Sequence, residues 1–166
     1  RDNLYLSGYY SYDRFNFIEE EKYNYSNMNA SAKWVHLFKD NFRSAVSVGY
    51  DHYDYATHSY ANDNDAYKMT FNINQYFLKT DFEHAGLGNH TLNWGVNALL
   101  YDVVPGKIVP TTEASLRKAQ TMQKEKALEA AVYGNEEWDI TDRFTISAGA
   151  RYSMFGALGP RTYQTY

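Results

Sequence analysis

The side chains best suited to chemistry gather in one run, Tyr50 to Asp65, which carries Asp51, His52, Asp54, His58, Asp63 and Asp65. A metal site there would need imidazoles and carboxylates converging at ligand distance. Asp63 and Asp65 have the alternate spacing of a calcium loop, but the central Gly and closing Glu of that pattern are missing. The run therefore reads as a solvated loop rim, and no metal is expected. Tyr53, Tyr55 and Tyr60 lie in the same run and would suit an aromatic surface for a sugar or cofactor ligand. Their plainer reading, which takes precedence, is as girdle residues at a membrane interface. Glu19, Glu20 and Glu21 form an acidic stretch, yet glycoside chemistry needs two carboxylates facing across a cleft. Three consecutive glutamates are a charge run. Arg151 and Glu137 are candidates for contacts inside a barrel, with Arg151 meeting acids of a plug domain or pairing with Glu137 on the wall. No Gly-x-Ser-x-Gly elbow, Walker loop or His-Glu-x-x-His helix occurs. No catalytic residue and no bound cofactor is expected.

The elements that must position these residues are strands. Of 166 residues, 17 are Tyr, 9 Phe and 3 Trp, while the mean hydropathy is negative. An aromatic-rich but polar chain suits a barrel wall, with one apolar face per strand and rings at the membrane interfaces. A net charge of -4 provides no basic surface for nucleic acid. Cysteine is absent, which removes disulfides and thiolate sites together. The chain opens on Arg1 without an apolar signal segment, as a mature protein or a fragment would.

Alternation with period two recurs along the chain. In His90 to Tyr101, Leu92, Trp94, Val96, Ala98 and Leu100 share one face, and Thr91, Asn93, Gly95 and Asn97 the other. Phe144 to Phe155 repeats the pattern, as do Phe42 to Tyr55, Leu4 to Phe15, Tyr23 to Phe38 and Leu128 to Trp138. Tyr67, Met69, Phe71, Ile73 and Phe77 alternate too, but Tyr76, Leu78 and Phe82 follow the other phase, so a bulge is expected near Gln75. These strands exceed the ~5–6 residues of globular sheets. A tilted membrane strand needs ~9–11.

The connections alternate in size. Asn16–Lys22 is followed by the brief Lys39–Asn41, then Ala56–Asp65 by a Gly-rich turn at Gly86 and Gly88, then Asp102–Lys126 by Asp139–Arg143. Short periplasmic turns and extended outward loops have this rhythm. A helix is expected within the longest loop, at Ser115 to Glu129, from its Ala, Leu, Lys, Gln and Glu content. Seven strands would leave two bare edges, which hydrocarbon does not tolerate. The closing "GALGPRTYQTY" reads as an outward loop lacking its returning strand, so a fragment of a larger barrel is expected.

The stretch "EKALEAAVYGNEEWDITDRFTISAGARYSMFGALGP", with Gly149, Ala150, Arg151 and Tyr152 as a Gly-x-Arg-Tyr motif, resembles the barrel region of TonB-dependent outer-membrane receptors, particularly those of Bacteroidota. "NHTLNWGVNALLYDVVPGKIVP" resembles the preceding ascending strand, with His90, Gly95, Tyr101, Pro105 and Gly106 in the expected relation. The resemblance covers most of the chain. It implies an all-β, antiparallel transmembrane barrel in which residues 1–166 supply about seven of about 22 strands. The plug domain and TonB-contacting segment of such receptors are not in this sequence. Also implied are transport of a nutrient captured by outward loops, an outer-membrane location, and contacts with outer-membrane lipids, the rest of the receptor, the TonB complex and a surface lipoprotein. Two rival readings remain: a soluble β-sandwich binding carbohydrate through its tyrosines, and an outer-membrane enzyme on a small closed barrel.

Overall fold

The computed structural model describes residues 1–17 and 20–159, and the Glu19 of the acidic run lies outside them. Seven long strands form one antiparallel sheet in chain order: β1 (Asp2–Phe17), β2 (Glu21–Lys39), β3 (Phe42–Ser59), β4 (Tyr67–Ala85), β5 (His90–Pro110), β7 (Glu125–Thr141) and β8 (Phe144–Leu158). A two-residue strand, β6 (Gln120–Thr121), pairs with β5 off this path. The sheet is open, and no second layer covers it among the described residues. A β-sandwich needs two packed sheets, so the soluble alternative has no architectural support.

The register identifies which residues share a face. Leu4, Trp34, Val46, Thr80, Val96, Val132 and Tyr152 form one row across the sheet. The neighbouring row on that side is Leu6, Ala32, Val48, Leu78, Ala98, Ala130 and Met154. Below them Phe42, Phe82 and Trp94 stack at centroid distances of 5.6 to 6.3 Å, and Phe38 lies 5.0 Å from Phe42. Above them Tyr50 and Tyr76 meet at 5.0 Å, and the Tyr50 hydroxyl donates to Asn74 Oδ1 at 2.6 Å. One row higher the same side turns polar, through His52, Asn74, Asp102 and Lys126.

An apolar band between two aromatic rows is the lipid-facing surface of a barrel. From Phe42 to Tyr50 it covers ~27 Å along the strand, or about 20 Å vertically at a tilt near 40°. A hydrocarbon-facing band is about 25 Å tall, so the match is close. The exposure of Leu6 at 75% and Val132 at 53% then has a physical reason: both await acyl chains and not water.

Two expectations are corrected. β4 pairs with β3 from Tyr67 to His84 without a break, so no bulge lies near Gln75. The irregularity falls between Thr70 and Asn72 of β4, where the extra residue is on β5 near Pro105 and Gly106. β4 keeps one phase throughout. The apparent change arises because Met69, Phe71 and Ile73 are apolar residues of the inner face. The helix at Ser115 to Glu129 does not form either. Glu125 to Ala131 continues the β5–β7–β8 ladder, and ladder hydrogen bonds override helix propensity there. The segment before it is too short and too little packed to nucleate a helix alone; its Leu116 is 82% exposed.

Strands of 15 to 21 residues overshoot the membrane. The surplus lies beyond the Tyr50–Tyr76 row, on the side of the long connections. On the opposite side the turns are tight, with Gly86 and Gly88 at φ of 78° and 70°, a conformation other residues reach only with strain.

The facing yields a test. Val96→Arg in the full-length protein should sharply reduce the folded, heat-modifiable species in the membrane, because a midplane Arg costs about 2–4 kcal/mol. Asn97→Arg on the inner face should assemble like the parent. Equal assembly of the two variants would refute the facing.

Candidate functional site: the inner wall and its outer loops

The inner face divides into two zones by height. In the lower zone, level with the lipid band, Lys33, Arg43, Lys79 and Arg151 share the face with Asp81 and Glu83. Lys79 Nζ lies 3.2 Å from Asp81 Oδ2, and Arg43 reaches Glu83 at 3.5 Å. The Tyr133 hydroxyl donates to Asp81 Oδ1 from β7, two strands away. To get there its ring lies across Gly95 of the intervening β5, where an added Cβ would sit 2.6 Å from the hydroxyl oxygen and 2.3 Å from the Thr80 carbonyl. Gly95 is therefore the opening through which the tyrosine crosses. The Lys79 ammonium and the Arg151 guanidinium lie 5.9 and 5.4 Å from the Tyr133 ring centroid. Tyr133 and Asp81, with Lys33, Arg43, Glu83 and Asn93, line a depression of about 230 Å³.

Arg151 does not pair with Glu137 on the wall. The β7–β8 register sets Arg151 opposite Tyr133 and Glu137 opposite Ser147, about 13 Å apart along the strand. Arg151 instead lies over Tyr133 and donates to Ser153 Oγ at 3.1 Å.

The upper zone, beyond the lipid band, is aromatic and acidic. Phe15 stacks on Tyr23 at 5.0 Å, Tyr23 lies 6.4 Å from Tyr55, and Tyr53 meets Phe71 edge-on at 6.2 Å. Tyr53 and Tyr55 thus stand on the inner face, opposite the lipid-facing side that a girdle residue would occupy. Tyr60 begins the outer loop, 47% exposed, with its backbone N–H held by the Glu20 carbonyl. The adjoining row carries Asn29, Asp51 and Gln75 in register. Both amides donate to Asp51, Asn29 at 2.5 Å and Gln75 at 3.5 Å. The Tyr23 hydroxyl donates to Glu21. The charged residues that the strands place on this upper inner face are Asp13, Glu21, Asp51 and Glu125, with no strand Lys or Arg among the described residues.

Strand alternation explains why Asp51, His52, Asp54 and His58 do not converge. Asp51 points inward, whereas His52, Asp54 and His58 occupy the other face. His52 has partners of its own, with Nε2 2.5 Å from Asp54 Oδ2 and Nδ1 2.7 Å from Asn74 Oδ1. Asp63 and Asp65 belong to a single 3-10 turn capped by Asn62.

That turn anchors the longest loop. The backbone N–H of Leu116 donates to the Asn64 carbonyl at 2.8 Å, and Thr112 Oγ1 donates to the Asp63 carbonyl at 2.6 Å. Arg117 then grips Asp65 through Nε and Nη2, at 2.5 and 3.3 Å, and lies 5.1 Å over the Tyr67 ring. Two outward loops are thereby tied together above the inner wall. The Asp81–Tyr133 link and this clamp both escape a reading of single strands, since each joins residues far apart in the chain. Lys79 and Asp81 at alternate positions were the available signal for the first.

The model of the TonB dependent receptor-like β-barrel family matches residues 1–164. The chain belongs to that family. No curated protein matches it in sequence. Among solved structures it is similar to BauA, the ferric preacinetobactin receptor from Acinetobacter baumannii, with a TM-score of 0.67 and 9% identity over 95% of this chain and 32% of BauA. It is also similar to the outer-membrane ferripyoverdine receptor of Pseudomonas aeruginosa bound to ferripyoverdine, with a TM-score of 0.59 and 15% identity over 96% of this chain and 32% of that receptor. A third likeness is to FpvAI in complex with pyocin S2, at 0.58 and 15% over 96% of this chain and 31% of that one. At such identities these likenesses establish the fold. The chain spans about a third of each receptor's length. As part of an outer-membrane TonB-dependent receptor barrel, it belongs to a family of receptors and transporters, not of enzymes.

The loop clamp has a pH signature. The Arg117 hydrogen bonds hold the Asp65 carboxyl below its ordinary value of 3.8. A depressed carboxylate pKa contributes stability that is present above the ordinary value and is lost as pH falls through the lowered one. In the full-length receptor, Arg117→Ala should therefore speed proteolytic nicking within 111–124 at pH 7. Parent and variant should converge once the pH drops below Asp65's own pKa. Equal nicking rates at pH 7 would remove the clamp.

Proposed function

We propose that this chain is part of a TonB-dependent receptor that captures a scarce nutrient on its outward side and passes it to the periplasm. The observation that carries this reading is the continuous family match, laid over a sheet with one lipid-facing side and one polar, loop-capped side. The rest of the receptor completes a barrel of about 22 strands around a plug domain. The residue pattern around Gly149 to Tyr152 supports a receptor of the Bacteroidota type.

The two inner zones divide the work. The lower zone offers Lys33, Arg43 and Arg151 to acidic groups of the plug, with the depression beside Tyr133 as the contact point. The upper zone receives ligand. Rings at Tyr53, Tyr55 and Phe71 provide flat apolar faces, and Asp51 with its two amides provides hydrogen bonds. With its neighbouring cation, Arg117, engaged by Asp65, the zone disfavours anionic ligands and suits a neutral polyhydroxylated or cationic one. The wall performs no chemistry of its own. Transport energy reaches the receptor from the inner membrane through the TonB complex, and a surface lipoprotein is a further partner on the loop side.

Profiling of spent growth medium tests the reading. A compound consumed by parent cells should persist equally in cells lacking this receptor and in cells lacking TonB. Tyr53→Ala with Tyr55→Ala should slow its uptake about tenfold, since each aromatic contact contributes roughly 0.5–1.5 kcal/mol beyond its buried area. If every compound is consumed alike in all strains, the receptor assignment fails.

A further inference from the structure

The longest loop, 111–124, is held down at two points. Leu116 and Arg117 fix its first half to the turn at Asp63–Asp65. Its second half is held by β6, in which Gln120 and Thr121 pair with Ile108 and Lys107 of β5. Beyond Val103 and its partner Glu125, β6 is the one strand on that edge of β5 among the described residues. Two paired residues are marginal by themselves, since even a complete isolated hairpin is. The next residue supplies what they lack. The Met122 N–H donates to the Gly106 carbonyl at 2.8 Å, and its thioether lies against the Gly106 backbone.

Gly106 is buried, and its missing side chain is the room that the sulfur occupies. A Cβ added there would lie 3.1 Å from Met122 Sδ and 3.7 Å from its Cγ. Yet Met122 as a whole is 54% exposed, on the side of the long connections. The other three methionines lack this pairing of access and leverage. Met28 and Met154 are on the lipid side of β2 and β8, and Met69 is half-buried on the inner face of β4. Each sits within a long paired strand, where one side chain anchors no loop.

We propose that Met122 is a site of sulfoxidation by peroxides in the medium, and that its oxidation releases the second half of the loop. The thioether lone pair attacks one oxygen of hydrogen peroxide, so that an S–O bond forms as the O–O bond breaks. The departing hydroxide takes the proton of the transferred oxygen and leaves as water. Sulfur loses two electrons, and the peroxide gains them. The product is polar and larger by one oxygen. That oxygen must find space where the sulfur already lies close over Gly106. It also sets a strong acceptor near the Gly106 carbonyl, and two acceptors repel. The Arg117–Asp65 clamp involves no sulfur and stays closed, so the loop opens from its β6 end and the vestibule widens along β5. Reduction of the sulfoxide restores the contact. None of this depends on which nutrient the receptor carries.

The test uses the full-length receptor in outer-membrane fragments, titrated with hydrogen peroxide at neutral pH. Mass spectrometry should show Met122 gaining one oxygen ahead of Met28, Met69 and Met154. Trypsin cleavage after Lys118 and Lys124 should then speed up several-fold in the parent. Treatment with a methionine sulfoxide reductase should return it to the starting rate. Met122→Leu keeps an apolar side chain without an oxidisable sulfur, and it should be cleaved slowly before and after peroxide. Gly106→Ala should be cleaved fast without any oxidant, because its methyl group takes the place of the thioether. Three results would each overturn the proposal: Met122 resisting peroxide while the other methionines react, its oxidation leaving cleavage of the parent unchanged, or Met122→Leu responding to peroxide as the parent does.

Discussion

A peptide N–H in hydrocarbon has no water to bond to, and each unpaired one costs several kcal/mol. The rest of this structure follows from that constraint. A ladder running from β1 to β8 pairs backbone groups across every interior strand, so side chains are left free to differ completely between faces. One face can be Leu, Val, Ala and Trp because acyl chains ask nothing polar of it. The other can carry Lys79, Asp81 and Arg151 because a solvated or plugged interior satisfies charge. The irregularities also obey the rule. The extra residue on β5 falls at Pro105, which has no N–H to donate, above the lipid band where water is at hand.

Height along the strand is the second organising variable. At bilayer level the inner face is charged and cross-braced, with Tyr133 reaching through the space left at Gly95 to Asp81, which Lys79 also meets. Above that level it becomes aromatic and acidic, and it is roofed by loops that Arg117 ties to Asp65. A wall level with the lipid band and a wall beneath the loops meet different surroundings and carry different surfaces. Strand overshoot supplies both on the same continuous backbone. Extending a paired strand adds one ladder bond per residue without a new nucleus, so the vestibule wall inherits its rigidity from the membrane wall.

The lipid-facing rows were legible because hydrocarbon enforces alternation strictly. Leu92 to Leu100 and Phe144 to Met154 read the same in sequence and in register. Where hydrocarbon ends, so does the pattern. Strand extensions through Ser59 and Pro110 carry polar residues on both sides or apolar ones on the inner side, and they read as loop. Met69, Phe71 and Ile73 misled for the same reason: an apolar residue was equated with the lipid side, although the vestibule also wants rings. The Ala- and Glu-rich stretch from Glu125 reads as helix because propensity is local, whereas its partners on β5 and β8 are not. Tyr53 and Tyr55 were recognised as an aromatic pair, but their side of the sheet depends on register with β2 and β4, which sequence alone did not supply.

Charge segregation in the projecting strands bears on selectivity. A β-strand places successive residues on opposite faces, so the run from Asp51 to His58 can present acid inward and imidazole outward within a few residues. The two faces are separated by one sheet thickness, a distance comparable to the Debye length of about 8–10 Å. Each face therefore sets its own local potential with little cancellation by the other. The face that adjoins the lipid band and the face beneath the loops can therefore differ in charge at the same height.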